Sequence, residues 1–204
     1  MPDFSTPDLT LTAAELQSFD TAVTNAGLQP SASWDNIINV TASGPVPASF
    51  VTTVQVADLS QLNAIIGLPN AIFSSGGGGL PAPQAISGLP KGASAGAPAV
   101  TPAQMRYLKW SLDAHVFGDS TKASPNADLI NASLFPMTLT VIAAQSLTLA
   151  PGVILSVQGI SEAGVNPYGY VLFILGSLSL GAGAQISSTA NTVINTQVAF
   201  SAND

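Results

Sequence analysis

The chain has 204 residues, 47% of them hydrophobic and only 7% charged, with four basic against eleven acidic side chains and no cysteine. An average globular domain is about 25% charged, so the polar surface here must come from Ser, Thr, Asn, Gln and the backbone. Four cations in a chain of net charge -7 are too few for the phosphate contacts on which nucleic-acid affinity rests. The lack of cysteine excludes disulfides, thiolate catalysis and Cys-based metal centres.

At the amino terminus, MPDFSTPDLTLT has neither a basic n-region nor an apolar h-region, so no classical signal peptide is expected. Residues 12–27 read as a helix: Thr12 and Glu15 have capping-box spacing, Leu16, Phe19, Val23 and Ala26 form one stripe, and Gly27 ends it. Two strands are expected at Ile37–Thr41 and Phe50–Val56, separated by the turn-rich ASGPVPAS. Asp58 and Gln61 have the spacing to cap a short helix through Ile66.

From Ser74 to Val100 the sequence is rich in Gly, Ser and Ala, with Pro81, Pro83, Pro90 and Pro98, and reads as a loop or linker. Gly76–Gly79 lack the following Lys-Ser/Thr of a phosphate loop. This gives three segments: 1–73, a helix with strands packing on the core; 74–100, the linker; and 101–204, a helix followed by repeated strands, forming one domain with 1–73. The second helix opens at Thr101, with Pro102 at its first position and Gln104 at the reciprocal capping position. Met105, Leu108, Leu112 and Val116 give its apolar face, and Asp119–Asp128 reads as turn-rich.

Beyond Leu134 every signal is strand. SLTLAPGVILS at Ser146–Ser156 returns as SLSLGAGAQIS at Ser177–Ser187, 31 residues on, with five of eleven positions identical. Strands are expected at 137–141, 146–149, 153–157, 170–175, 177–180, 185–188 and 192–200. The fold class is therefore read as mainly β with two or three short peripheral helices, its carboxyl-terminal half β-solenoid-like or sandwich-like around the 31-residue repeat. Two copies are fewer than the roughly three that a solenoid needs to bury a continuous core. Something must cover the open edges, and residues 123–204 contain no Lys or Arg to guard them.

Candidate chemistry is sparse. The single histidine, His115, has Asp113 two positions away on a different side of the expected helix, which favours ordinary placement near a helix carboxyl terminus over a general base. Asp119, Asn126 and Asp128 are close enough in sequence to share an ion, but no calcium-loop pattern contains them. No Gly-x-Ser-x-Gly occurs. No catalytic, metal or cofactor site is expected, and an enzyme is not expected. Asn39 and Asn131 head glycosylation acceptor triplets.

Asn166, Tyr168 and Tyr170, between the two copies, form the candidate ligand or contact loop, since aromatic rings with an Asn suit sugars. Residues 163–203 are uncharged, but Gly and Pro break the apolar runs before the length of a membrane span accumulates. The composition resembles that of bacterial extracellular and surface proteins built from Ser/Thr/Ala/Gly-rich strands, which implies an extracellular or cell-surface location, with a cytoplasmic one left open. The expected partners are copies of the chain itself, with a glycan as a second candidate. The expected function is a structural protein that self-assembles into a filament or surface layer. The alternatives are a carbohydrate-binding lectin-like or adhesin module and a membrane-inserting toxin subunit.

Overall fold

A computed structural model describes residues 10–28, 37–66, 100–159 and 169–202. Strand and helix share it almost equally, at 39% and 37%. The elements in chain order are α1 (Ala13–Asn25), β1 (Ile37–Val40), β2 (Gly44–Pro45), β3 (Val51–Val56), α2 (Leu59–Ile66), α3 (Pro102–Val116), α4 (Ser120–Ala123), α5 (Ala127–Leu134), β4 (Met137–Leu149), β5 (Ile154–Val157), β6 (Tyr170–Leu180), β7 (Gln185–Ser188) and β8 (Asn191–Ser201). The mainly β expectation is thus corrected to a mixed fold with parallel sheets. Its error lies largely in Asp119–Leu134, where short helical pieces and a single 3-10 turn at Ser124–Asn126 lead into α5. Ser, Pro and Asn in that stretch read as turn residues because they serve helix starts as readily as loops.

Both predicted capping boxes form. Thr12 accepts from the Glu15 amide while the Glu15 side chain accepts from Thr12, and Thr101 and Gln104 repeat the arrangement. The helices are not peripheral. Phe19 and Val23 of α1, Leu62 and Ile65 of α2, Leu108 and Leu112 of α3, and Ile130 and Leu134 of α5 are buried against Leu139, Val141, Leu172 and Ile174 of the sheet. Residues on either side of the 67–99 segment therefore share one core; that segment, with nearly all of the expected linker, lies outside the described residues.

The larger sheet runs β1-β4-β6-β8, all parallel, with β3 added antiparallel to β4; the smaller runs β2-β5-β7, also parallel. The repeat fixes the register. Ser146 lies beside Ser177 and Leu149 beside Leu180 in the first sheet, and Leu155 lies beside Ile186 in the second. Each copy thus contributes a strand, a corner and a second strand, and equivalent positions stack.

The corners explain their glycines. Gly152 and Gly183 have φ of 70° and 69°, a left-handed conformation that costs other L-residues about 1–2 kcal/mol. The Gly152 amide donates to Ala182 at 2.8 Å, so the corners also stack on each other. Inside them, Leu147, Leu149, Val153, Leu155 and Leu178 make a second core with Ile142, Ala144, Val171, Phe173 and Leu175.

The long strands β4 and β6 each replace two expected short ones, and the reason is a reversal of side-chain parity. Val171, Phe173 and Leu175 face the second core, and so does Leu178 after an odd step; Ile142 and Ala144 are followed likewise by Leu147 and Leu149. Gln145, Gly176 and Gln197 lie level with one another at that step and fall out of the ladder register. At Gly176 a β-carbon would stand 2.5 Å from the Gln145 carbonyl oxygen and 2.6 Å from Leu11 Cδ1, closer than such atoms pack. Only glycine fits there.

Candidate functional site

The two ends of the strand stack are unlike. At one end, the outer edge of β4 is occupied in two parts, β3 pairing with residues 137–142 and β1 with residues 146–149. There β1 and β2 pair parallel with β4 and β5, with Ile38 buried beside Leu147 and the Ser43 hydroxyl accepting from the Ile154 amide at 2.9 Å. The amino-terminal strands therefore cover the first copy of the repeat.

At the other end β8 pairs with β6 and β7 pairs with β5, and among the described residues no strand lies beyond either. β8 is eleven residues long, reads NTVINTQVAFS, and carries no charge and no proline. Lys, Pro and short length guard many exposed edges, and β8 has none of these; its one irregularity is the step at Gln197. Ile194 on this strand is 38% exposed. Ala199 and Ser201, level with Leu178 and Leu180 of β6, are also exposed because the smaller sheet stops one strand earlier.

One polar cluster holds this end to the helices. Asp113 of α3 accepts from the Tyr170 hydroxyl at 2.6 Å and from Asn191 Nδ2 at 3.0 Å, joining the first residues of β6 and β8. Burial pushes the Asp113 carboxyl above its ordinary value, against the lowering effects of the Tyr170 hydrogen bond and the Lys109 charge. Asn195 adds a second tie, donating to the Ile66 carbonyl at 3.3 Å.

Of the residues in the expected contact loop, Tyr170 is 3% exposed and belongs to the core. Its ring is therefore not a surface platform for a sugar. Asn166 and Tyr168 lie outside the described residues. His115 sits on α3 beside a cleft of about 250 Å³ lined by Leu59, Asn63, Ser124 and Ala127, but both of its ring nitrogens are buried without a hydrogen-bond partner. Burial lowers its pKa, favouring the neutral ring. Asn131 uses its side-chain oxygen to accept from the Leu59 amide at 2.9 Å, capping α2.

Among the described residues no group of three or more His, Cys, Asp or Glu side chains converges as a metal site. Asp119 instead lies 4.0 Å from Lys122. No helix among those residues is long and apolar enough to cross a membrane. A cleft of about 480 Å³ opens between Pro45, Val46 and Val51 on one side and Ile142, Ser156 and Val157 on the other, where the two sheets diverge. Sequence reasoning missed the β8 edge as a site because β8 lacks the SLxL motif; its uncharged alternation was the available signal.

The chain matches no family model, no curated protein and no solved structure.

Proposed function

We propose that this is a structural protein whose subunits associate with copies of themselves through the open edge at β8, building a homopolymer such as a filament or surface layer. The observation that carries it is that edge: eleven residues of strand, uncharged, proline-free and paired on one side among the described residues. Its free N–H and C=O groups are the template to which another strand adds. Fold and function meet here, because the stacked strand-corner-strand units are read as coils of a short β-solenoid, begun by β1 and β2 and ending half a coil short at β8. An unfinished coil is completed by a neighbour.

A non-catalytic role accords with His115, whose ring nitrogens are packed away rather than turned to a reactant. The proposed setting is the cell exterior, supported by the charge-poor composition rich in small residues. Negative-stain electron microscopy of the concentrated protein tests the reading. Regular filaments or sheets are expected; a field of uniform single subunits at every concentration sinks it.

A further inference from the structure

In a parallel ladder the N–H and C=O of one residue point to the same side, and successive residues alternate. The Asn191 amide donates to Gly169 and the Ala202 amide to Leu180, so residues 191, 193 and 195 turn towards β6, and so do 198, 200 and 202. The change from odd to even occurs at Gln197. The residues directing backbone groups away from β6 are accordingly Thr192, Ile194 and Thr196 on one side of Gln197, and Ala199 and Ser201 on the other.

That arrangement is self-complementary. An antiparallel copy of β8 placed across the edge, with a two-fold axis between Gln197 and Val198, opposes Ile194 to Ser201 of the partner and Thr196 to Ala199, and each pair recurs with the roles exchanged. Both of these pairs have their hydrogen-bonding groups turned towards each other, alternating with pairs such as Asn195 and Phe200 whose groups turn back to β6. Opposed residues also share a face: Ile194 and Thr196 lie level with Phe173 and Leu175, Ala199 and Ser201 with Leu178 and Leu180, and Phe173, Leu175 and Leu178 all belong to the same inner core. A strand without the parity change has this property about many axes; the change leaves the axis between Gln197 and Val198 as the one that keeps both halves in register. With no charge on β8, identical strands meet without repulsion.

We infer that the β8 edge binds a second copy of the chain isologously, as an antiparallel β8-β8 pair centred between Gln197 and Val198. This rests on the self-association proposed above and specifies its geometry: the β8 contact closes on itself, so growth beyond a pair proceeds from the opposite, β1 and β2, end.

The chain has no cysteine, so single thiols can be placed cleanly. Gln197→Cys lies beside the axis, opposite Val198 of the partner and diagonal to its own copy, within crosslinking reach, whereas a head-to-tail contact never brings residue 197 to residue 197. Mild oxidation, or a short bis-maleimide, is expected to link Gln197→Cys to itself at least tenfold faster than Ser187→Cys on the smaller sheet. An equal mixture of Thr196→Cys and Ala199→Cys chains is expected to give mainly the mixed dimer, which covers the case in which position 197 does not tolerate the change. Association without either crosslink, or equal crosslinking at Ser187, overturns the two-fold contact and leaves self-association standing. Wild-type protein that remains monomeric overturns both.

Discussion

The Tyr170 hydroxyl donates to Asp113 Oδ1 at 2.6 Å, across 57 residues of sequence, and so pins the start of β6 to helix α3. Because Asn191 donates to the same oxygen, a single carboxylate holds the first residues of β6 and β8. The open edge is thereby presented on a fixed scaffold. Asp113→Ala leaves two part-buried donors without this acceptor, and a loss of about 1–3 kcal/mol is expected, measured by urea unfolding. Tyr170→Phe, which removes a bond that favours the ionised form, moves the Asp113 pKa still higher, as a carboxyl-carbon NMR titration can follow.

The two half-buried titrating groups on α3, Asp113 and His115, make opposite contributions to stability against pH. Asp113 has a raised folded pKa, so the unfolded chain releases its proton first and stability is lost as pH rises from about 3.8 through the raised value. Asp113→Asn is expected to remove that decline in a series of melting curves.

His115 has a folded pKa below its ordinary 6.5. The unfolded chain takes the proton first, so the stability contributed by the neutral ring is full above 6.5 and is lost as pH falls towards the depressed folded value. His115→Leu, in which nothing titrates, is expected to flatten the melting temperature over that interval; an unchanged slope would show that other groups set it.

Close packing at the strand reversal and the corners makes a glycine series informative. Gly176→Ala and Gly181→Ala force a β-carbon against backbone atoms 2.5 Å and 2.6 Å away, and each is expected to destabilise by about 1–3 kcal/mol or more. Gly183→Ala is opposed by its φ of 69° at about 1–2 kcal/mol. Gly44→Ala, with nothing within 4 Å and no positive φ, is the control and is expected to be nearly neutral. Chemical denaturation of the four variants decides the order.

Much of this was legible in the residues. The repeat of SLTLAPGVILS as SLSLGAGAQIS became the register of Ser146 on Ser177, and the Thr12 and Thr101 capping boxes formed as their spacing implied. What stayed hidden has identifiable causes. The parity change at Gln145, Gly176 and Gln197 interrupts the period on which strand reading depends, so continuous strands looked like pairs. β8 follows β6 by 21 residues rather than 31 (Tyr170 beside Asn191) and carries no copy of the motif, so the next strand of the stack could not be recognised as one. Tyr170 looked like a surface aromatic because nothing local signals a carboxylate 57 residues earlier.

Sedimentation velocity over a wide concentration range, on wild type and on Ile194→Pro, tests the central claim of edge-to-edge association most directly. The Ile194 amide points away from β6, so proline there removes a free donor without taking a bond from the existing ladder. Wild-type mass is expected to rise with concentration, while Ile194→Pro, with an unchanged far-UV spectrum, loses the β8 contact and associates markedly less. A wild type that sediments as a monomer throughout, or a folded Ile194→Pro that associates as well as wild type, would contradict the account.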